Sequence, residues 1–112
     1  MTINDERVVD IISTKKDEGT VVLTISDHLD WADSTSHQLL IQKKLNTYLA
    51  FIENGELLER YPTATGLAVE IRIVFQHRPD RSAEVFLMKA KQIIESAGFK
   101  LHTEIFAESY GN

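Results

Sequence analysis

The fold is decided by Ser26-Asp27-His28-Leu29-Asp30-Trp31 and by the run that follows it as far as Asn54-Gly55. In this run apolar residues recur every three or four positions, which predicts one buried stripe on an α-helix. The stripe consists of Ile41, Leu45, Tyr48, Leu49 and Ile52. A side-chain oxygen of Asp30, Asp33 or Ser34 can accept from the free N–H groups of the first turn. Gly55 predicts the end of the helix, because glycine adopts the left-handed conformation at little cost.

Two β-branched runs precede this helix. They cover residues 8–12 and 20–25, and the charged, glycine-containing segment 15–19 lies between them. This arrangement predicts an antiparallel hairpin. After the helix, residues 56–61 predict one more helical turn, which Pro62 ends because proline disfavours the helical conformation of the residue before it.

The second half of the chain predicts a strand, a helix and a last strand. Apolar residues alternate with others from Leu67 to Gln76, which is the period of a half-buried strand. Asp80 or Ser82 can cap the helix that follows. Its predicted apolar positions are Phe86, Ala90, Ile93 and Ala97. Gly98 ends this helix, Phe99 is expected to press back on Ile94, and residues 100–106 form the last strand.

The predicted fold class is therefore α+β, a two-layer sandwich with the order β-β-α-β-α-β. Crossovers between parallel strands are right-handed, so we expect both helices on one face of a four-stranded mixed sheet whose first strand is antiparallel. We expect the strand order 1-2-3-4. Residues 1–112 are predicted to be a single domain, with loose ends at 1–6 and 108–112.

Composition and charge exclude several classes of function. The chain has 112 residues, 43% of them hydrophobic and 26% charged, with a formal net charge of −5 and no cysteine. This acidity argues against nucleic-acid binding, which depends on basic residues, and suits a basic protein partner. No apolar run is long enough for a membrane span and no signal peptide begins the chain, so we expect a cytoplasmic protein.

Two helices on one face leave the other face of the sheet open, which predicts a contact surface there. Its proposed residues, together with Trp31 as a candidate anchor, are Val22, Thr24, Arg72, Val74, Glu104 and Phe106. The mixture of apolar and charged side chains is typical of a contact patch. The alternative is that Glu70, Arg72 and Glu104 form cross-strand ion pairs over scattered valines.

One cluster contains groups that can bind metal or transfer protons, namely Asp27, His28, Asp30, Asp33 and His37. A metal site would use His28, Asp30 and His37, because imidazole and carboxylate are common ligands. The alternative is that the aspartates bond to turn N–H groups, Trp31 plugs the end of the core, and His37 begins the apolar stripe. Lys43 and Lys44 are expected on the solvated surface.

The motifs of phosphate loops, nucleophile elbows, zinc proteases and dinucleotide sites are absent from the sequence. The pattern Asp-His-Leu-Asp-Trp at 27–31, with Tyr-Leu-Ala-Phe-Ile-Glu-Asn-Gly at 48–55, resembles a family of small bacterial proteins of unknown function. The resemblance implies a bacterial origin and assigns no site residues.

We therefore predict a non-enzymatic protein-interaction module without a cofactor, its partner being another protein or a second copy. An immunity-type inhibitor of a basic bacterial toxin is the concrete form that we consider. The alternatives are a small enzyme or metal-binding protein that uses the Asp27-His28-Asp30/His37 cluster, and a structural homodimer.

Overall fold

A computed structural model describes residues 11–106, which form a four-stranded sheet and three α-helices. The strands are β1 (Ile11–Lys15), β2 (Thr20–Asp27), β3 (Ala68–Phe75) and β4 (Lys100–Ile105). The helices are α1 (Ser34–Glu53), the short α2 (Glu56–Arg60) and α3 (Arg81–Ser96). The predicted order β-β-α-β-α-β is confirmed, and α2 is the additional turn expected before Pro62.

The strand order is β1-β2-β3-β4, as predicted. β1 is antiparallel to β2, whereas β3 is parallel to both of its neighbours. The first strand ends later than predicted, because Lys15 is still paired with Thr20 and the turn occupies residues 16–18. A lysine suits this position, since edge strands commonly carry charged side chains. The first residues of the predicted strand, 8–10, lie outside the described residues, as do the predicted loose ends.

The core lies between one face of the sheet and helices α1 and α3. Alternation along β2 and β3 directs Leu23 and Ile71 to this face, where they are partners in the parallel register. The same core cluster contains buried residues of both helices, so α1 and α3 cover one side of the sheet, as predicted. Within 11–106, none of the helices is long and apolar enough to cross a membrane.

Helix α1 follows the predicted stripe, with one exception. Ile41, Leu45 and Tyr48 are buried, and the Tyr48 hydroxyl donates to the main-chain oxygen of Thr24 over 3.0 Å. Lys44, expected on the surface, is instead 0% exposed. Its ammonium lies 5.6 Å from the centre of the Tyr48 ring, a cation–π arrangement that partly compensates the loss of water.

The predicted stripe of α3 is confirmed for Phe86 and Ala90, which are partly buried against the core, and is wrong for its last two positions. Ile93 is 67% exposed and Ala97 is exposed, whereas Ile94 is buried. The buried stripe consists of Ala83, Leu87, Ala90 and Ile94, of which Ala90 is half-buried. The end of the helix is as predicted. Gly98 has φ 96°, and the N–H of Phe99 donates to the Ile94 oxygen over 3.1 Å, as in a Schellman motif.

Candidate functional site

The carboxyl end of β2 places an acidic side chain inside the core. Strand alternation that buries Val21, Leu23 and Ile25 also directs Asp27 towards the helices, and this residue is 2% exposed. One carboxylate oxygen of Asp27 accepts from the N–H of Leu29 over 3.1 Å, so the side chain also shapes the turn that leaves the strand.

His37, in the first turn of α1, meets this carboxylate. Its Nε2 atom lies 2.5 Å from Oδ2 of Asp27, and its Nδ1 atom lies 2.9 Å from the main-chain oxygen of Asp30. The side chains of His37 and Asp27 are 2% and 0% exposed. Helix α1 holds His37 in place because the Asp33 side chain accepts from Ser36 N–H and caps the helix.

Burial is the main influence on the carboxyl group of this pair. It raises the pKa of Asp27 above the ordinary value of 3.8, because a carboxylate loses its hydration there. The hydrogen bond with His37, and the positive charge of its imidazole when that is protonated, favour the ionised form and oppose this effect. The pair can therefore hold a proton, but neither side chain is accessible to a substrate.

Trp31 closes the site from the solvent side. Its ring is stacked on the His37 imidazole, with centroids 3.7 Å apart and planes 21° apart. The indole N–H donates to the main-chain oxygen of His77 over 3.1 Å, and Phe75 lies 5.8 Å away. Trp31 thus plugs the end of the core and links the β2–α1 connection to the β3–α3 connection.

The other members of the sequence cluster do not join the pair. His28 and Asp30 are exposed, and the Asp30 carboxylate accepts from Ala32 N–H over 3.0 Å. His37 uses both ring nitrogens in the bonds already described. Among residues 11–106 there is no group of three or more potential ligands that could hold a metal ion.

The open face of the sheet is covered largely by charge pairs. Glu70 lies 3.5 Å from Lys15 and 3.6 Å from Arg72, and Arg72 lies 3.4 Å from Glu104. The cross-strand ion pairs that we considered as the alternative are therefore present. Thr24, Val74 and Arg72 are partly buried, and Phe106 is 51% exposed.

The prediction that Val22 belongs to the contact surface is wrong, because this residue is only 1% exposed. Val22 is the register partner of Glu70, and Thr20 is the partner of Lys15. The Lys15–Glu70 ion pair connects β1 with β3 and must therefore cross β2 at this level. Val22 is not available to a partner.

A groove between α1 and α3 was not predicted from the sequence. It has a volume of about 320 Å³, and its lining residues are Gln42, Leu45, Asn46, Leu49, Phe86, Lys89, Ala90, Ile93 and Ile94. The helices meet at their first turns, where Gln38 donates to the Ser82 hydroxyl over 3.0 Å. Exposed Val85 and Leu39 extend the apolar surface of the two helices. The signal in the sequence was the apolar spacing of Phe86, Ala90 and Ile93, which predicts a buried stripe but in fact lines this groove.

By its architecture the protein is a two-layer α+β domain, and it contains a buried contact between Asp27 and His37. The model of the Family of unknown function (DUF6572) matches residues 1–107, so the chain belongs to this family, in agreement with the predicted resemblance to a family without known function. No curated protein and no solved structure gave a match.

Proposed function

We propose that the protein is a non-enzymatic protein-interaction module of the bacterial cytoplasm, and that the α1–α3 groove is its contact surface. The observation that carries this proposal is the apolar lining of the groove, in which Lys89 is the single ionisable residue. Depletion of charge around exposed apolar side chains is typical of the centre of a protein interface. The sheet face is a weaker candidate, because its charges neutralise one another and Val22 is buried.

The partner that fits the groove is an amphipathic helix carrying one acidic residue. A cleft between two helices suits a third helix whose apolar residues recur at three- and four-residue intervals. Lys89 lies near the middle of α3, so a carboxylate of the partner would pair with it. A second copy of the chain fits less well, because a two-fold axis through the groove would bring two Lys89 side chains together.

An immunity-type inhibitor of a basic toxin is the concrete version of this proposal. It is supported by the small size of the chain and by the net charge of −5. Such a toxin would present the acidic helix to the groove, and its basic surface would be attracted by the net negative charge of the protein, since complementary charge accelerates association.

The proposal is tested with two synthetic amphipathic helices that differ only in a central Glu or Lys. We expect the Glu peptide to bind more tightly, and the Lys89→Glu variant to reverse this preference. Ile93→Asp should weaken binding by about tenfold or more, since a buried charge costs at least about 1.4 kcal/mol. Dissociation constants are measured by fluorescence anisotropy.

Met88→Asp is the matched control, because Met88 is a similarly exposed apolar residue of α3 that lies outside the groove. It should bind the Glu peptide like the unmodified protein. Equal effects of the Ile93 and Met88 substitutions would contradict the groove. So would the absence of binding at about 1 mM peptide, which corresponds to about −4 kcal/mol. A dimer in light scattering that Ile93→Asp dissociates would favour the homodimer instead.

A further inference from the structure

The contact between Asp27 and His37 requires one proton, whichever group holds it. The main-chain oxygen of Asp30 can only accept, so the Nδ1 atom of His37 carries the hydrogen in their 2.9 Å bond. If the imidazole is neutral, its Nε2 atom accepts and Asp27 must donate. If the imidazole is charged, Nε2 donates and Asp27 is ionised. In both cases the pair shares one proton and has no net charge.

Any other number of protons disrupts this contact. A second proton leaves both groups protonated and places a positive charge where His37 is 2% exposed. Loss of the shared proton leaves the carboxylate of Asp27 facing the lone pair of Nε2, two acceptors 2.5 Å apart. Each change removes a hydrogen bond and buries an uncompensated charge, so the closed geometry is favoured only within an interval of pH.

The pair holds the β2–α1 connection, residues 28–33, against the body of the domain. Asp27 binds the N–H of Leu29, and His37 binds the main-chain oxygen of Asp30 and stacks on Trp31. If His37 turns away, the connection loses its bond at Asp30 and Trp31 loses its stacking partner. The hydrogen bonds of the sheet and of α1 do not depend on these contacts.

Other titratable groups surround the pair, and their titration must be distinguished from that of Asp27 and His37. His28 is close enough to Asp27 to affect its charge, and Asp80, at the N-terminus of α3, is close enough to affect His37. Hydrogen bonding from the N–H of Ala83 lowers the pKa of Asp80, so this group remains ionised at neutral pH. The Asp30 carboxylate faces Ala32 N–H, and His77 lies in the β3–α3 connection, where its main-chain oxygen binds Trp31.

We propose that Asp27 and His37 form a proton latch. With one shared proton the latch holds residues 28–33 and Trp31 closed, and gain or loss of a proton releases them while the sheet and helices stay folded.

Trp31 is the sole tryptophan, so its fluorescence reports directly on the latch. We expect its emission to shift to longer wavelength at both ends of a titration from about pH 4 to about pH 10, which spans carboxylate and imidazole titration. In Asp27→Asn the alkaline shift should disappear, because the Asn amide donates to Nε2 and its oxygen accepts from Leu29 N–H without titrating. The acid shift should remain, since the Nε2 atom of the imidazole is still an acceptor in this variant.

His28→Gln is the control, and it should retain both shifts. Far-ultraviolet circular dichroism at each pH separates release of the connection from unfolding of the domain. The latch is overturned if the unmodified protein shows no shift, if Asp27→Asn keeps the alkaline shift, or if the shift coincides with loss of helix signal.

Nitrogen-15 NMR of the imidazole gives a second, independent measurement. At neutral pH the Nδ1 atom of His37 should carry a proton, as its bond to the Asp30 oxygen requires. A spectrum that shows a neutral His37 with its proton on Nε2 alone would overturn the latch.

Discussion

At the scale of single residues, the raised pKa of Asp27 links one carboxyl group to the stability of the whole fold. A raised pKa means that the folded state holds the proton more tightly than the unfolded chain, in which the ordinary value of 3.8 applies. The stability that this proton contributes is present in full below the ordinary value. It is lost as the pH rises through the raised pKa of the folded state.

Asp27→Asn should therefore become more stable relative to the unmodified protein as the pH rises. The amide keeps both hydrogen bonds of the side chain and cannot lose a proton. The difference in free energy of unfolding should grow by about 1 kcal/mol or more as the pH rises from near the ordinary pKa of 3.8 to about pH 8, the scale of an unsatisfied buried polar group. Urea denaturation at the two pH values measures it, and a constant difference would show that Asp27 is not the titrating group.

The two histidines of the sequence cluster should differ in their effect on stability. His37→Ala leaves Asp27 without its partner in the core and should cost about 3 kcal/mol, as in other broken buried pairs. His28→Ala, at an exposed position, should change the free energy of unfolding by less than about 0.5 kcal/mol. Denaturation measures both changes.

Metal analysis of the same proteins tests the metal-binding alternative. We expect no stoichiometric zinc, because His37 uses both ring nitrogens and the Asp30 carboxylate faces its own turn. One zinc ion per chain that is lost in both histidine variants would instead establish a metal site.

At the scale of helices and strands, the sequence predicts local structure better than it predicts which side chains other elements will cover. Periodicity and glycine positions were sufficient for the order of elements and for the end of α3. They could not decide between Ile93 and Ile94, because both fall on apolar spacings and only the position of α1 determines which one is covered. Lys44 presents the same difficulty, since its burial depends on tertiary packing around α1.

One half of the Asp27–His37 contact, the inward direction of Asp27, could have been predicted from the sequence. The alternation that turns Val21, Leu23 and Ile25 inward extends to Asp27, so a carboxylate facing the helices could have been predicted. The sequence does group these residues in one cluster, but it predicts a metal site in which His37 lies with His28 and Asp30. Which of these aspartates would approach the imidazole depends on the path of residues 28–33, for which the sequence contains no periodic signal.

The end of α3 permits a prediction for a single glycine. Gly98→Ala should destabilise the protein by about 1 kcal/mol, because its φ of 96° is unfavourable for any residue with a Cβ atom. No atom lies within 4 Å of the position that the new Cβ would occupy, so the cost arises from the backbone alone. Ser96→Ala, in the last helical turn, is the control. Thermal unfolding of the two variants measures the difference, and equal melting temperatures would contradict the capping role.

At the scale of the whole molecule, most of the exposed large apolar side chains in residues 11–106 lie on the helices and not on the open face of the sheet. The side without helices was predicted to offer a contact surface of mixed apolar and charged side chains, and ion pairs from Lys15 to Glu104 cover much of it. The helical side exposes Val85, Ile93 and Leu39. The open face is covered because long charged side chains reach across neighbouring strands. Strand alternation predicts the face on which a side chain lies but not how far it reaches.

The same substitution on the two sides tests this assignment. Val22→Ala removes buried methyl groups and should cost about 1–2 kcal/mol, whereas Val85→Ala, at a position that is 48% exposed, should change stability by less than about 0.5 kcal/mol. Urea denaturation provides both values. A small effect at Val22 would mean that the open face is accessible after all.

The strand order β1-β2-β3-β4 is also the order of synthesis. Each strand after β1 that leaves the ribosome finds a hydrogen-bonding partner already made, and no strand has to be inserted between two others. The sheet can therefore grow at a single edge during translation, with β4 added last and without the rearrangement that a shuffled topology would demand.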